Sequence, residues 1–193
     1  MNKEELGEIF TRHCQLVEES FAQLGDSIIE AGQRLGNCLQ TGGKILLCGN
    51  GGSAADAQHF AAELVNRFLL DRPALPAVAL TTDSSAITAI ANDHSYESVF
   101  ARQIEALGNE RDYLVLMTTS GNSANLAHAV ESAYEKKMEV LLLSGKDGGS
   151  LAGLLREGTL ELRVPSEQTP RIQEVHILII HYLCYAIERE LFH

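Results

Sequence analysis

Residues 44–68 read KILLCGNGGSAADAQHFAAELVNRF. An apolar run ending at Cys48 leads into a turn built on Gly49, Gly51 and Gly52, and Ser53 then opens a helical pattern. This order predicts a strand, a glycine loop and a helix N-terminus. Glycines let the backbone turn tightly and approach a ligand, and the first N–H groups of the helix favour an anion in front of them. On the helix itself, His59 and Glu63 stand four residues apart and share a face, where an imidazole and a carboxylate can hold a metal or pass a proton.

The device recurs. Residues 114–123, LVLMTTSGNS, end an apolar run in two threonines, two serines, an asparagine and a glycine before a new helical pattern starts. Around these two loops, short apolar runs alternate with helical periods, with candidate strands at 44–48, 77–80, 112–117, 139–143 and 159–164. Alternation without hairpin signals predicts an α/β fold, a doubly wound five-stranded parallel sheet covered by helices on both faces. Ligands of such sheets lie beyond the carboxyl ends of the strands, where both loops fall. Ahead of the first strand, apolar residues at helical spacing (Leu6, Phe10, Leu16, Val17 and Phe21, then Ile28, Ile29, Leu35 and Leu39) predict a helical pair over 1–40, broken at Gly25 and Asp26. With no sheet partner of its own, this pair either covers the sheet or packs on another subunit. The whole chain, 1–193, reads as one domain, with 41–193 as its α/β core.

Composition narrows the function classes. The chain has 45% hydrophobic residues and a formal net charge of −11, with no basic cluster to offset it, which argues against broad nucleic-acid affinity. An anionic ligand must be held by local N–H groups and hydroxyls. Cys14, Cys38, Cys48 and Cys184 are scattered without a CxxC pair and read as reduced, packed cysteines of a cytoplasmic protein. The opening MNKEELGEIF is charged and lacks the apolar core of a signal peptide, and the longest apolar segment, near Ile177 to Ile187, is interrupted by His181 and too short for a bilayer.

Three further places carry polar residues in telling positions. The segment TTDSSAITAIAND, 81–93, starts with hydroxyls after a strand and ends in Asn92 and Asp93. Lys146 and Asp147 in SGKDGG read best as an exposed turn. The last helix, from about Arg171 to Leu191, sets Gln173, His176 and His181 among apolar residues on more than one side, which predicts broad burial. By spacing alone His176 is the closer companion of Gln173, since Gln173 and His181 are about 12 Å apart along the axis.

The stretches CGNGGSAADAQHFAAEL, TAIANDHSYESVFARQIEALG, TTSGNSAN, LSGKDGGSLAG and TPRIQEVHILIIH, spread from residue 48 to 181, resemble the sugar isomerase (SIS) domain family, and within it the phosphoheptose isomerases. The resemblance implies an aldose–ketose isomerase acting on sedoheptulose 7-phosphate in activated-heptose (lipopolysaccharide core) synthesis, with one zinc per subunit. Its implied metal ligands are His59, Glu63, Gln173 and His181, with Glu63 and His181 also as proton carriers. Asn50, Gly51, Gly52, Glu63, Asn92, Asp93, Gln173 and the hydroxyl loop Thr118, Thr119, Ser120 and Ser123 would bind substrate, the last four at its phosphate. It also implies a homotetramer in which the N-terminal helices pack together and sites lie at subunit interfaces. One position departs: Pro170 stands where some of these isomerases have an aspartate. A second resemblance, to the protein DiaA, implies a tetrameric partner of the replication initiator DnaA instead. DiaA-like sequences lack equivalents of Glu63 and His181. Another sugar phosphate, a pentose or hexosamine phosphate, is the remaining alternative.

Overall fold

The computed structural model describes residues 2–193. Five parallel strands, β1 (Ile45–Gly49), β2 (Ala77–Ala79), β3 (Tyr113–Met117), β4 (Glu139–Gly145) and β5 (Leu160–Val164), form one sheet in the order β2-β1-β3-β4-β5. The expected architecture is present, with strand ends within two residues of those read from the sequence. β1 pairs on one side with β2 and on the other with β3, in the register Leu46↔Val78 and Leu46↔Leu114. From β1 the chain therefore leaves toward opposite sides of the sheet, and the crevice this opens lies over the carboxyl ends of β1 and β3.

Both central strands are fully buried, because alternate residues point to two different cores. Ile45, Leu47, Tyr113, Val115 and Met117 face the helices α1 (Lys3–Gln40), α2 (Gly52–Val65) and α7 (Thr169–Phe192). Leu46, Cys48, Leu114 and Leu116 face α4 (Ala101–Leu107), α5 (Ala124–Glu135) and the short α6 (Gly149–Ala152). Helix α3 (Ser84–Asp93) buries no residue completely, and only Ile87, Ile90 and Ala91 lean on the second core.

The expected N-terminal pair of helices is a single helix. α1 runs unbroken through Gly25 and Asp26 for 38 residues, started by a reciprocal capping box between Asn2 and Glu5. An internal glycine costs about 1 kcal/mol relative to alanine. The apolar stripe of Leu16, Leu24, Ala31, Leu35 and Leu39 keeps its phase across the glycine and buries against the core, and that burial outweighs the local preference to stop. α1 and α7 approach closely at Gly32, where a Cβ would come within 2.4 Å of the Ala186 Cβ. The cysteines are free, Cys38, Cys48 and Cys184 buried and Cys14 exposed. Among the described residues no helix is long and apolar enough to cross a membrane.

Gly32→Val places a branched side chain in the α1–α7 contact. It is expected to cost about 1–3 kcal/mol through overpacking, read as a lower urea midpoint with an unchanged slope. A midpoint at or above the parent's would mean the two helices can separate without loss.

Candidate active site

The glycine loop places α2 directly over the end of β1, with Gly51 at φ 56° as the residue before the helix. α7 runs alongside α2 in the same direction, so residues of the two helices meet in chain order. Gln173 lies over the first turn of α2, so close that a Cβ on Gly52 would fall 2.1 Å from its Nε2. One turn on, Asp56 is buried with Oδ2 lacking a hydrogen-bond partner, and burial pushes its carboxyl up to about 6 against the opposing pull of the Gln173 amide and His59. Next comes the central group. His59 Nε2 and His181 Nε2 are 2.8 Å apart, and Glu63 Oε1 is 3.6 Å from His59 Nε2.

His59, Glu63 and His181 each offer a ligand atom within 4.8 Å of the others, and all three are half-buried. Two imidazole nitrogens facing at hydrogen-bond distance need a proton or a cation between them. A nitrogen–nitrogen–oxygen donor set is also what zinc takes readily while leaving a position for another ligand. The donor chemistry and its convergence fit a metal ion.

His176 is excluded from this group. It points to the sheet instead, fully buried, with Nε2 donating to the Ser144 carbonyl at 2.9 Å and Nδ1 without a partner. Burial drives its pKa down to about 4, only partly offset by the Ser144 carbonyl. Spacing along α7 alone suggested His176. Because the facing helix runs parallel, the eight-residue step from Gln173 to His181 is matched by the seven-residue step from Gly52 to His59.

The chain's second loop is preformed. Thr118 Oγ1, buried, accepts from the Gly121 and Ser120 N–H groups, and Asn122 ties the loop to Ser150 through its side-chain oxygen. Ser123 precedes α5 without capping it by its side chain, which leaves its hydroxyl for a ligand at the helix start. Lys146 and Asp147 form the expected turn, with Asp147 accepting from Gly149 N–H and Lys146 at φ 54°. Asn92 and Asp93 sit exposed at the end of α3, bonded to each other, and Asp93 does not join the imidazole–carboxylate group.

A family model described as SIS domain matches residues 10–145. The chain belongs to the SIS domain family. It is 59% identical over 169 residues to the phosphoheptose isomerase of Alkalilimnicola ehrlichii, covering 88% of this chain and 86% of that protein. Among solved structures, phosphoheptose isomerase GmhA of Neisseria gonorrhoeae superposes with a TM-score of 0.91 at 46% identity, covering 97% of this chain and 98% of that one. The phosphoheptose isomerase of Francisella tularensis gives 0.94 at 43%, covering 98% and 100%.

Within this SIS domain, sequence reasoning missed the residues that join its parts. Asn50 and the buried Asn125 exchange two amide hydrogen bonds of 2.9 Å, which fastens the first loop to the start of α5. Tyr96 donates to the same Asn50 oxygen at 3.0 Å, bringing in the segment that follows Asn92 and Asp93. Asn125 stands in TTSGNSAN, and an asparagine inside a first helical turn was the available signal. Arg72, Phe68 and Glu188 also border the site. Glu188 lies seven residues beyond His181, on the same face.

The His176 geometry sets a pH dependence. The folded protein keeps the ring neutral down to about pH 4, whereas the unfolded chain takes up the proton below about 6.5. The unfolded state thus binds more protons in that window, and stability falls as pH drops through it, by about 3 kcal/mol at pH 4. Urea unfolding of His176→Gln across pH 7 to 4.5 should be flatter than the parent's, and parallel profiles would contradict the assignment.

Proposed function

We propose that this chain is a phosphoheptose isomerase, interconverting sedoheptulose 7-phosphate and D-glycero-D-manno-heptose 7-phosphate at the start of activated-heptose synthesis. The observation that carries the reading is the convergence of His59, Glu63 and His181 from the facing helices α2 and α7, in a chain so similar to phosphoheptose isomerases over almost its full length. A protein built only to dock the initiator DnaA has no use for these three side chains.

The ketose-to-aldose direction removes a proton from C1 and returns one to C2, while the hydroxyl proton on O1 passes to O2. The intervening enediolate carries charge on oxygen. Glu63 and His181 are the proton carriers in this reading, placed on facing helices so that one can take a proton and the other can serve the neighbouring oxygen. Zinc would be held by His59, Glu63 and His181, with Gln173 as the fourth donor. When present, it supplies Lewis-acid polarisation of the sugar oxygens. The phosphate is held by Thr118, Thr119, Ser120 and Ser123 before α5, where N–H groups and hydroxyls replace the positive field an acidic protein lacks. Asn50, Gly51 and Gly52 hold the sugar end, with Asn92 and Asp93 closing on it. Pro170 occupies the first turn of α7, a position that suits proline, and the proton steps proceed without a carboxylate there.

The reading includes a homotetramer centred on α1. In support, Phe10 is 64% and Phe21 72% exposed, and an apolar groove of about 570 Å³ runs between α1 and α7, lined by Phe21, Ile28, Ile29, Tyr182 and Tyr185 among others. Exposed apolar surface of this kind is suited to a second copy.

The direct test is incubation of the pure protein with sedoheptulose 7-phosphate, with and without added zinc, followed by NMR. Appearance of the aldose is expected, and no turnover in either condition would overturn the reading. Glu63→Gln keeps shape and hydrogen bonding but removes the charge and the proton affinity. It should lower kcat at least about 100-fold at unchanged melting temperature. A Gln variant at full turnover would remove Glu63 from the proton path.

A further inference from the structure

Glu188 and Arg72 form an ion pair in which both side chains are only 2% exposed. The bonds around it all run to one place. Glu188 Oε1 accepts from Phe68 N–H at 3.2 Å and from Arg72 Nε at 3.0 Å, and Oε2 accepts from the N–H groups of Leu69 and Leu70, each at 3.1 Å. The guanidinium then reaches the end of α2, giving Nη2 to the Glu63 carbonyl and Nη1 to the Leu64 carbonyl, both at 2.8 Å. Carbonyls in the last turn of a helix lack partners within it, so Arg72 closes α2 at the residue that carries the site carboxylate.

The other end of the device reaches the second imidazole. Phe68, whose N–H is held by Glu188, lays its ring on His181 with centroids 5.6 Å apart and planes at 28°. Glu188 and His181 are seven residues apart on α7, two turns, and so share a face to within about 20°. Glu63 and His181, on different helices, are thus tied to the same buried pair, Glu63 directly through its backbone carbonyl and His181 through Phe68. Burial alone would push the Glu188 carboxyl up, yet three N–H groups and Arg72 hold it below the ordinary carboxylate range.

A buried ion pair is seldom more stabilising than apolar residues of similar volume, so stability does not account for this one. We propose that Glu188 and Arg72 are positioning residues for the site: they lock the loop after α2 so that Glu63 and His181 are held at the separation shared ligation and proton transfer require. This rests on the isomerase reading for its catalytic half only, since the effect on ligation stands apart from turnover.

The experiment compares four variants of the full chain with the parent. Glu188→Gln and Arg72→Lys disturb the pair, Phe68→Leu removes the ring from His181 while leaving the pair intact, and Asp112→Asn is the control. Asp112 is also buried and ion-paired, accepting from Lys44 N–H and Asn109 N–H and pairing with the Lys44 ammonium, but at the amino end of the sheet. Zinc affinity is measured by chelator competition well below each melting temperature, and kcat and KM with sedoheptulose 7-phosphate. Losses of about 10-fold or more in zinc affinity and in kcat are expected for Glu188→Gln and Arg72→Lys, a smaller loss for Phe68→Leu, and KM within about twofold. Asp112→Asn should lose melting temperature but keep both values. Zinc affinity and kcat near the parent's in the pair variants, or equal losses in the control, would overturn the proposal. Should the pair variants not fold, Phe68→Leu decides, and parent-like values there overturn it. A parent that binds zinc without turnover overturns the isomerase reading, while the zinc affinities still judge the positioning; a parent that binds no zinc overturns the positioning proposal, and turnover alone then judges the isomerase reading.

Discussion

Two helices laid side by side in the same direction, α2 and α7, set what the rest of the molecule must accommodate. Residues more than a hundred positions apart meet in chain order along this seam: Gln173 at Gly52, His181 at His59, Glu188 at the loop closing α2. Antiparallel packing would reverse the order and separate the imidazoles. The sheet enforces the direction, because each helix follows a parallel strand and returns across the same face. The missing Cβ of Gly52 then lets the seam close tightly enough for the Gln173 amide to enter.

From His59 onward, polar groups along the seam become less exposed. At the mouth, His59 and Glu63 are partly open, with side chains 39% and 23% exposed. At the far end Glu188 and Arg72 are sealed and saturated with hydrogen bonds. Such a gradient suits a site that exchanges ligands at one end and must not move at the other. The Asn50–Asn125 amide pair plays a similar part between the two loops. A reciprocal pair of amide bonds fixes both side chains in a single orientation, so the first loop and the start of α5 hold a constant separation without a charge between them.

Much of this was legible in the chain. The strands announced themselves because β1, β3 and β4 are apolar on both faces, and the loops because hydroxyls and glycines stand where strands end. His59 and Glu63 were readable from a four-residue spacing within one helix. The single α1 was not, since Gly25 and Asp26 carry a local stop signal and the overriding term is packing against α7, which no local window contains. His176 and His181 could not be ranked by spacing along α7, because their roles depend on which face meets α2 and which meets Ser144 on the sheet. Asn125, Arg72 and Glu188 were silent for the same reason. Their partners are distant in sequence, and an arginine or glutamate near a helix end reads as a solvated charge until the fold encloses it.

The long first helix packs against the last one, so the two ends of the chain close the molecule together. During synthesis α1 emerges with an apolar stripe whose main partner, α7, is complete only about 150 residues after α1 ends. Its first turns, from Lys3 to Arg12, are exposed even in the finished chain. Closure over so long a separation is slow and leaves apolar surface open to misassociation. His181 and Glu188 arrive on the same late helix, and the site therefore cannot form in a nascent chain that lacks α7. Ligand competence and completion of the core are reached in one step, and a chain stalled before α7 is an aggregation hazard that binds nothing at this seam.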